Sequence, residues 1–92
     1  MKNRSRNEII ASILQVINRG GSTKTKIMYG AFLPYSQLNE YLSFLLEMDL
    51  IALRKSKRTS SSPSFRITER GVHFVNINNQ INEMMATTIQ SI

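Results

Sequence analysis

The chain has no cysteine and no tryptophan, and among its 92 residues it contains one histidine and six acidic residues. Without cysteine, neither a disulfide framework nor a thiolate metal site can form. A single histidine and few, scattered carboxylates provide neither a nucleophile–base pair nor a set of metal ligands. We therefore expect a protein that is not an enzyme and that needs no metal and no cofactor.

Long apolar runs are also missing. The sequence contains no stretch of roughly 18 apolar residues, so no transmembrane helix is predicted. Ser12 and Gln15 interrupt the first apolar stretch and no small-residue cleavage site follows it, which argues against a secretory signal. Because 41% of the residues are apolar, the chain is not a disordered basic tail. We expect a small folded protein of the cytoplasm.

Negative charge is scarce as well, since 12 Lys+Arg outnumber 6 Asp+Glu and leave a formal net charge of +6. Most basic residues fall into three short segments: the N-terminus, the surroundings of a Gly-Gly pair, and residues 54–58. Residues 27–53 contain no lysine and no arginine. A folded basic module of this kind indicates a nucleic-acid partner. Each cluster taken singly is also compatible with a merely solubilising surface.

Apolar residues at helical spacing predict a first helix at about residues 6–19. Ser5 and Glu8 fit a capping box at its start, and Gly20 ends it. Ser22 or Thr23 is expected to cap a short second helix, which we predict to end at Gly30.

The third predicted helix has Pro34 in its first turn and ends near residues 48–49. After this helix, apolar residues recur at every second position. This spacing predicts strands at 51–54 and 65–67 around a polar loop at 56–64. Thr68 is expected to cap a last helix at about 69–90, in which Gly71 is a weak spot.

This order of elements is that of a winged helix-turn-helix. The predicted fold class is mainly α with a small β-hairpin. We expect residues 1–68 to form a winged helix-turn-helix DNA-binding domain and residues 69–92 to form a long C-terminal dimerisation helix. In such a fold the third helix can enter the major groove of double-stranded DNA, while the hairpin, or wing, contacts the backbone or a minor groove.

The third helix supplies the candidates for contact with base edges. Asparagine and glutamine can read adenine, and glutamate can accept from cytosine N4. The alternative to base contact is that the polar residues form an ordinary solvent-exposed helix face and that Tyr35 packs within the domain. The predicted set is Tyr35, Ser36, Gln37, Asn39, Glu40 and Ser43.

Phosphate contacts are predicted from the wing and from the start of the second helix, whose free N–H groups favour an anion. Arg4 and Arg6 form either a minor-groove arm or a solubilising, disordered start. The wing candidates are Arg54, Lys55, Lys57, Arg58 and Thr59, and the second-helix candidates are Lys24 and Lys26.

The last helix carries an apolar stripe at 3-4 spacing. At about 1.5 Å per residue it is about 30 Å long, more than a domain of this size covers. It either folds back on the first helix or pairs with a second copy, and we favour the homodimer. The predicted interface is Phe74, Ile77, Ile81, Met84, Met85, Thr88 and Ile89.

Four short sequence motifs of the chain resemble those of archaeal winged-helix domains related to small dimeric chromatin-type DNA-binding proteins. The resemblance covers roughly residues 7–75 and implies a DNA-binding homodimer whose last helices form an antiparallel coiled coil. The matching residues are Thr25, Ile27, Met28 and Tyr29; Leu33, Tyr35, Gln37, Leu38, Tyr41 and Leu42; Leu50 and Ile51; and Ile67, Thr68, Glu69 and Gly71.

The chain departs from that pattern at three places. Pro34 replaces a capping serine, Asp49 stands where the turn usually has glycine, and the third helix has no basic side chain. The last departure, together with a Phe44 that helical spacing places near the exposed side, motivates an alternative: a winged helix that binds another protein and not DNA.

Overall fold

The computed structural model describes residues 5–20, 22–54 and 64–91, and the side chains among them up to residue 86. The elements follow in the order α1 (Arg6–Asn18), α2 (Lys24–Ala31), α3 (Tyr35–Glu47), β1 (Ile51–Leu53), β2 (Phe65–Ile67) and α4 (Glu69–Ser91). The predicted fold class, a mainly helical winged helix-turn-helix with a hairpin and a long last helix, is confirmed.

The helix starts follow from local capping. The Glu8 backbone N–H donates to Ser5 Oγ at 3.2 Å, and the Ser5 N–H donates to Glu8 Oε1 at 3.3 Å, so the predicted capping box is present. The Lys26 N–H donates to Thr23 Oγ1 at 3.3 Å, which makes Thr23 the cap of α2. Pro34 precedes α3 as its N-cap and is not inside the first turn as predicted.

The predicted end of α2 at Gly30 is wrong. The helix continues to Ala31, and Phe32 takes the left-handed conformation with φ 56°. Gly30 serves close packing: a Cβ built there would lie 2.8 Å from Val16 Cγ2, so the missing side chain lets α1 and α2 approach. A second left-handed residue is Asp49 with φ 60°, at the position where the resemblance expects glycine.

The strand β2 and the residue before it have backbone partners on both sides. β1 and β2 pair antiparallel with Leu53 opposite Phe65, and Thr23 forms an isolated bridge with Ser64. The Phe65 N–H donates to the carbonyl of Ser22 at 2.8 Å. The segment that leads into α2 is therefore fixed to the base of the wing.

The core lies between α1, α2, α3 and the hairpin, and α4 contributes its first turns to it. Val75 is buried and Phe74 is half-buried against the core. One prediction for α3 is wrong. Phe44 is half-buried against the core and does not lie near the exposed side, as helical spacing suggests. Leu46 is 37% exposed. Within the described ranges, no helix combines the length and the apolar character needed to cross a membrane.

Candidate nucleic-acid interface

The outward side of α3 is a narrow polar strip. Leu38, Leu42 and Leu45 fix the inner side of the helix because they are buried. At about 100° per residue, the residues on the opposite side carry short polar or acidic side chains, and all of them are exposed. The residues of this "α3 strip" are Ser36, Glu40, Ser43 and Glu47.

The other candidates on α3 lie beside the strip. Gln37 is exposed on one side of it, and Asn39 is half-buried on the other side. Tyr35 is 56% exposed at the first residue of the helix, so the alternative of a packed tyrosine is wrong. Packing does account for Tyr41, which is half-buried against the core.

On the wing side of α3, residues from four elements surround one groove of about 340 Å³. Its polar residues are Lys24 from α2 and Asn39 and Ser43 from α3. Leu53 and Phe65 from the base of the wing complete the wall. The Lys24 Nζ lies over the Tyr35 ring, 5.8 Å from its centroid. The fold thus brings a predicted phosphate contact and two predicted base contacts together.

On the other side of α3 lies a groove of about 250 Å³ that is lined by Arg6, Gln37, Glu40 and Tyr41. The Arg6 guanidinium carbon lies 4.8 Å from the centroid of the Phe44 ring. Sequence reasoning missed this arrangement because it grouped Arg6 with a loose N-terminal arm. The capping box at Ser5 was the signal, since it makes the next residue the first of α1.

The wing is described only at its base. Arg54 is exposed directly after β1, where its N–H donates to the carbonyl of Ser64 at 2.9 Å. The other four wing candidates, Lys55, Lys57, Arg58 and Thr59, lie outside the described residues. Lys26 is exposed in the first turn of α2, and Thr23 accepts the N–H of this residue.

Along α4, exposure increases away from the core. Phe74 is half-buried, whereas Ile77 is 42% and Ile81 is 52% exposed. Met84 and Met85 are 68% and 58% exposed. The side chains of Thr88 and Ile89 are outside the described part of the chain. An apolar stripe therefore runs along α4 beyond the domain's own core.

A family model described as "Winged helix-turn-helix" matches residues 3–86. An uncharacterized protein of the archaeon Methanocaldococcus jannaschii is 37% identical over 68 residues, which are 74% of this chain and 63% of that protein. The chain therefore spans less than two thirds of the length of this relative.

Solved structures share the fold at low identity. Sso10a-2, a DNA-binding protein from Sulfolobus solfataricus, has a TM-score of 0.77 and 19% identity, with 96% of this chain and 88% of that chain covered. A variant of MepR from S. aureus, bound to an oligodeoxyribonucleotide, has a TM-score of 0.75 and 17% identity over 95% of this chain and 64% of that chain. A PadR family transcription regulator from Clostridium difficile has a TM-score of 0.77 and 17% identity, with 90% of this chain and 95% of that chain covered. The expected resemblance to archaeal winged-helix DNA-binding proteins is confirmed.

Proposed function

Because the chain belongs to the winged helix-turn-helix family, we propose that it is a homodimeric double-stranded DNA-binding protein that regulates transcription or shapes DNA. The observation that carries this proposal is the α3 strip with a cation on each side, Arg6 and Lys24. A polar helix of this kind fits the major groove, where short side chains can reach base edges. The chain is not an enzyme, in keeping with its family.

The base of the wing adds to this surface. Arg54 is exposed directly after β1, next in the chain to Leu53, which lines the groove that holds Lys24. Lys55, Lys57 and Arg58 continue the chain from there. With about 3–5 phosphate contacts per subunit, most of the affinity comes from counterion release. The location that suits such a protein is the nucleoid.

A second copy is proposed to cover the apolar stripe of α4. The 23 residues of α4 are about 34 Å long, while its buried residues lie in its first turns. Exposed isoleucine and methionine along one side of a protruding helix are typical of an interface. In this proposal residues 1–68 bind DNA and residues 69–92 join the two subunits.

The first experiment uses fluorescence anisotropy to measure how tightly the full chain binds a DNA duplex of random sequence. If DNA is the partner, affinity should fall by about 10³-fold or more between ~50 and ~200 mM salt, as expected for 6–10 phosphate contacts in a dimer. Absence of binding at the lower salt concentration would contradict the proposal. Sequencing of genomic fragments that the protein retains separates the two roles: a shared sequence indicates a regulator and even coverage an architectural protein.

The second candidate function is a winged helix that binds a protein. Its support is the acidic character of the α3 strip, in which Glu40 and Glu47 are exposed and no residue is basic. Carboxylates close to phosphates oppose DNA binding. The same titration decides between the two functions, because this candidate predicts no binding to the duplex at low salt.

A further inference from the structure

Two cations that belong to other helices lie against aromatic residues of α3. Residues 35–47 include no lysine and no arginine. Lys24 of α2 lies over Tyr35, the first residue of α3, and Arg6 of α1 lies over Phe44. α3 therefore holds its positive charge through its aromatic side chains and not through its own basic residues.

The two aromatic residues are on opposite sides of the α3 strip. At about 100° per residue, Tyr35 falls on the side of Asn39, and Phe44 falls on the side of Gln37. The grooves agree with this placement, since Lys24 lines one with Asn39 and Arg6 lines the other with Gln37. Tyr35 and Phe44 are nine positions apart, which corresponds to about 13 Å along the helix axis. The major groove of B-DNA is about 12 Å wide and admits one α-helix, so cations on the two sides of α3 face the two strands that border the groove when the helix lies in it.

We propose that Arg6 and Lys24 form a cation clamp that contacts one phosphate on each of the two strands bordering the major groove when α3 lies in it. This inference rests on the proposed function and extends it, because it assigns to Arg6 of α1 a phosphate contact beside α3, whereas the sequence offers Arg6 only as part of a minor-groove arm or of a solubilising start. It also explains how an α3 strip with two carboxylates can approach DNA.

An aromatic partner suits this role better than a carboxylate. A ring face attracts a guanidinium or an ammonium while leaving its full charge and its N–H groups available. Ordering the side chain before binding also lowers the entropy cost of the phosphate contact. For Arg6 the capping box at Ser5 adds a fixed backbone, since Arg6 is the first residue of α1.

The test measures the salt dependence of duplex binding for Arg6→Ala, Lys24→Ala and the double variant. Each alanine should reduce the steepness of log K against log[salt] by about 0.9 for each subunit bound, which is about an eightfold loss of affinity per lost contact at ~0.1 M salt, and the double variant should show the sum. Arg6→Lys should keep the slope, because it keeps the charge. Arg19→Ala is the matched control: Arg19 is exposed at the other end of the same helix, about 20 Å away, and should change the slope little.

Phe44→Leu tests the aromatic support separately. It keeps an apolar side chain at a half-buried position, and circular dichroism checks that the fold is intact. It should lower the slope in the wild-type background and leave it unchanged in the Arg6→Ala background. A slope for Arg6→Ala equal to that of Arg19→Ala overturns the clamp while the proposed function stands. Absence of wild-type binding overturns both.

Discussion

Gly71 in the first turn of α4 lies against Leu50, so closely that a Cβ on Gly71 would overlap the carbonyl oxygen of Leu50. The same junction is fastened by Thr68, whose hydroxyl donates to the carbonyl of Asp49 at 2.7 Å and accepts the Gly71 N–H at 3.0 Å. The turn after α3 and the start of α4 are thus one packed unit, which couples the orientation of α3 to that of α4.

Gly71→Ala is expected to destabilise the domain by about 1–3 kcal/mol, because the added methyl group meets backbone that cannot move aside. Urea unfolding followed by circular dichroism measures the change. Val72→Ala is the control, since Val72 is 38% exposed in the same turn and its truncation should cost much less. Equal stability of Gly71→Ala and the wild type would show that the junction is not tightly packed.

Replacing Lys55, Lys57 and Arg58 together by alanine should weaken binding to all duplexes alike. Three phosphate contacts fewer per subunit would lower the salt slope by about 2.7 for each subunit bound. Anisotropy titrations with two unrelated duplexes measure both effects. The control replaces Ser60, Ser61 and Ser62 by alanine, which changes the same segment of the sequence without altering its charge. Unchanged affinity of the triple basic variant at ~0.1 M salt would exclude the wing from phosphate binding.

Gln37→Ala and Asn39→Ala should change which sequences are preferred more than how tightly DNA is bound. Loss of a good base contact reduces discrimination at one position by about 1–3 kcal/mol. Selection from a randomised duplex pool measures the preference of each variant. Preferences identical to that of the wild type would mean that α3 does not read bases.

Ile81→Glu should convert the proposed dimer into monomers, because a carboxylate would be buried in the proposed α4 interface without a partner. Light scattering after gel filtration should then give a mass near the 10.5 kDa of one chain, with weaker DNA binding. The control is Asn79→Glu, which adds the same charge on the opposite, exposed side of α4. A wild-type protein that is itself monomeric at micromolar concentration would contradict the dimer.

The helices and the hairpin could be predicted because their signals are local. The capping box at Ser5, the apolar spacing along α1 and α3, and the change of period after Asp49 each act within a few residues. The roles of the glycines could not be predicted in this way. Gly30 inside α2 and Gly71 inside α4 are required by contacts with Val16 and Leu50, which are distant in sequence.

The candidate site was predictable in part for the same reason. The outward residues of α3 follow from its period, so Ser36, Glu40 and Ser43 were expected to be exposed, and they are. The position of Arg6 beside Phe44 depends on how α1 crosses α3, which no local pattern encodes. The sequence therefore indicated that α3 has no cation of its own, whereas the fold places Arg6 on one side of α3 and Lys24 on the other.

The most direct test of DNA recognition by the α3 strip is an NMR titration. The isotopically labelled protein is titrated with a DNA duplex of random sequence, and the amide chemical shifts are recorded. We predict the largest shifts at Ser36, Glu40 and Ser43, with smaller ones at the starts of α1 and α2 and at Arg54, and none along the outer part of α4. Shifts confined to α4, or no shifts at low salt, would contradict the account.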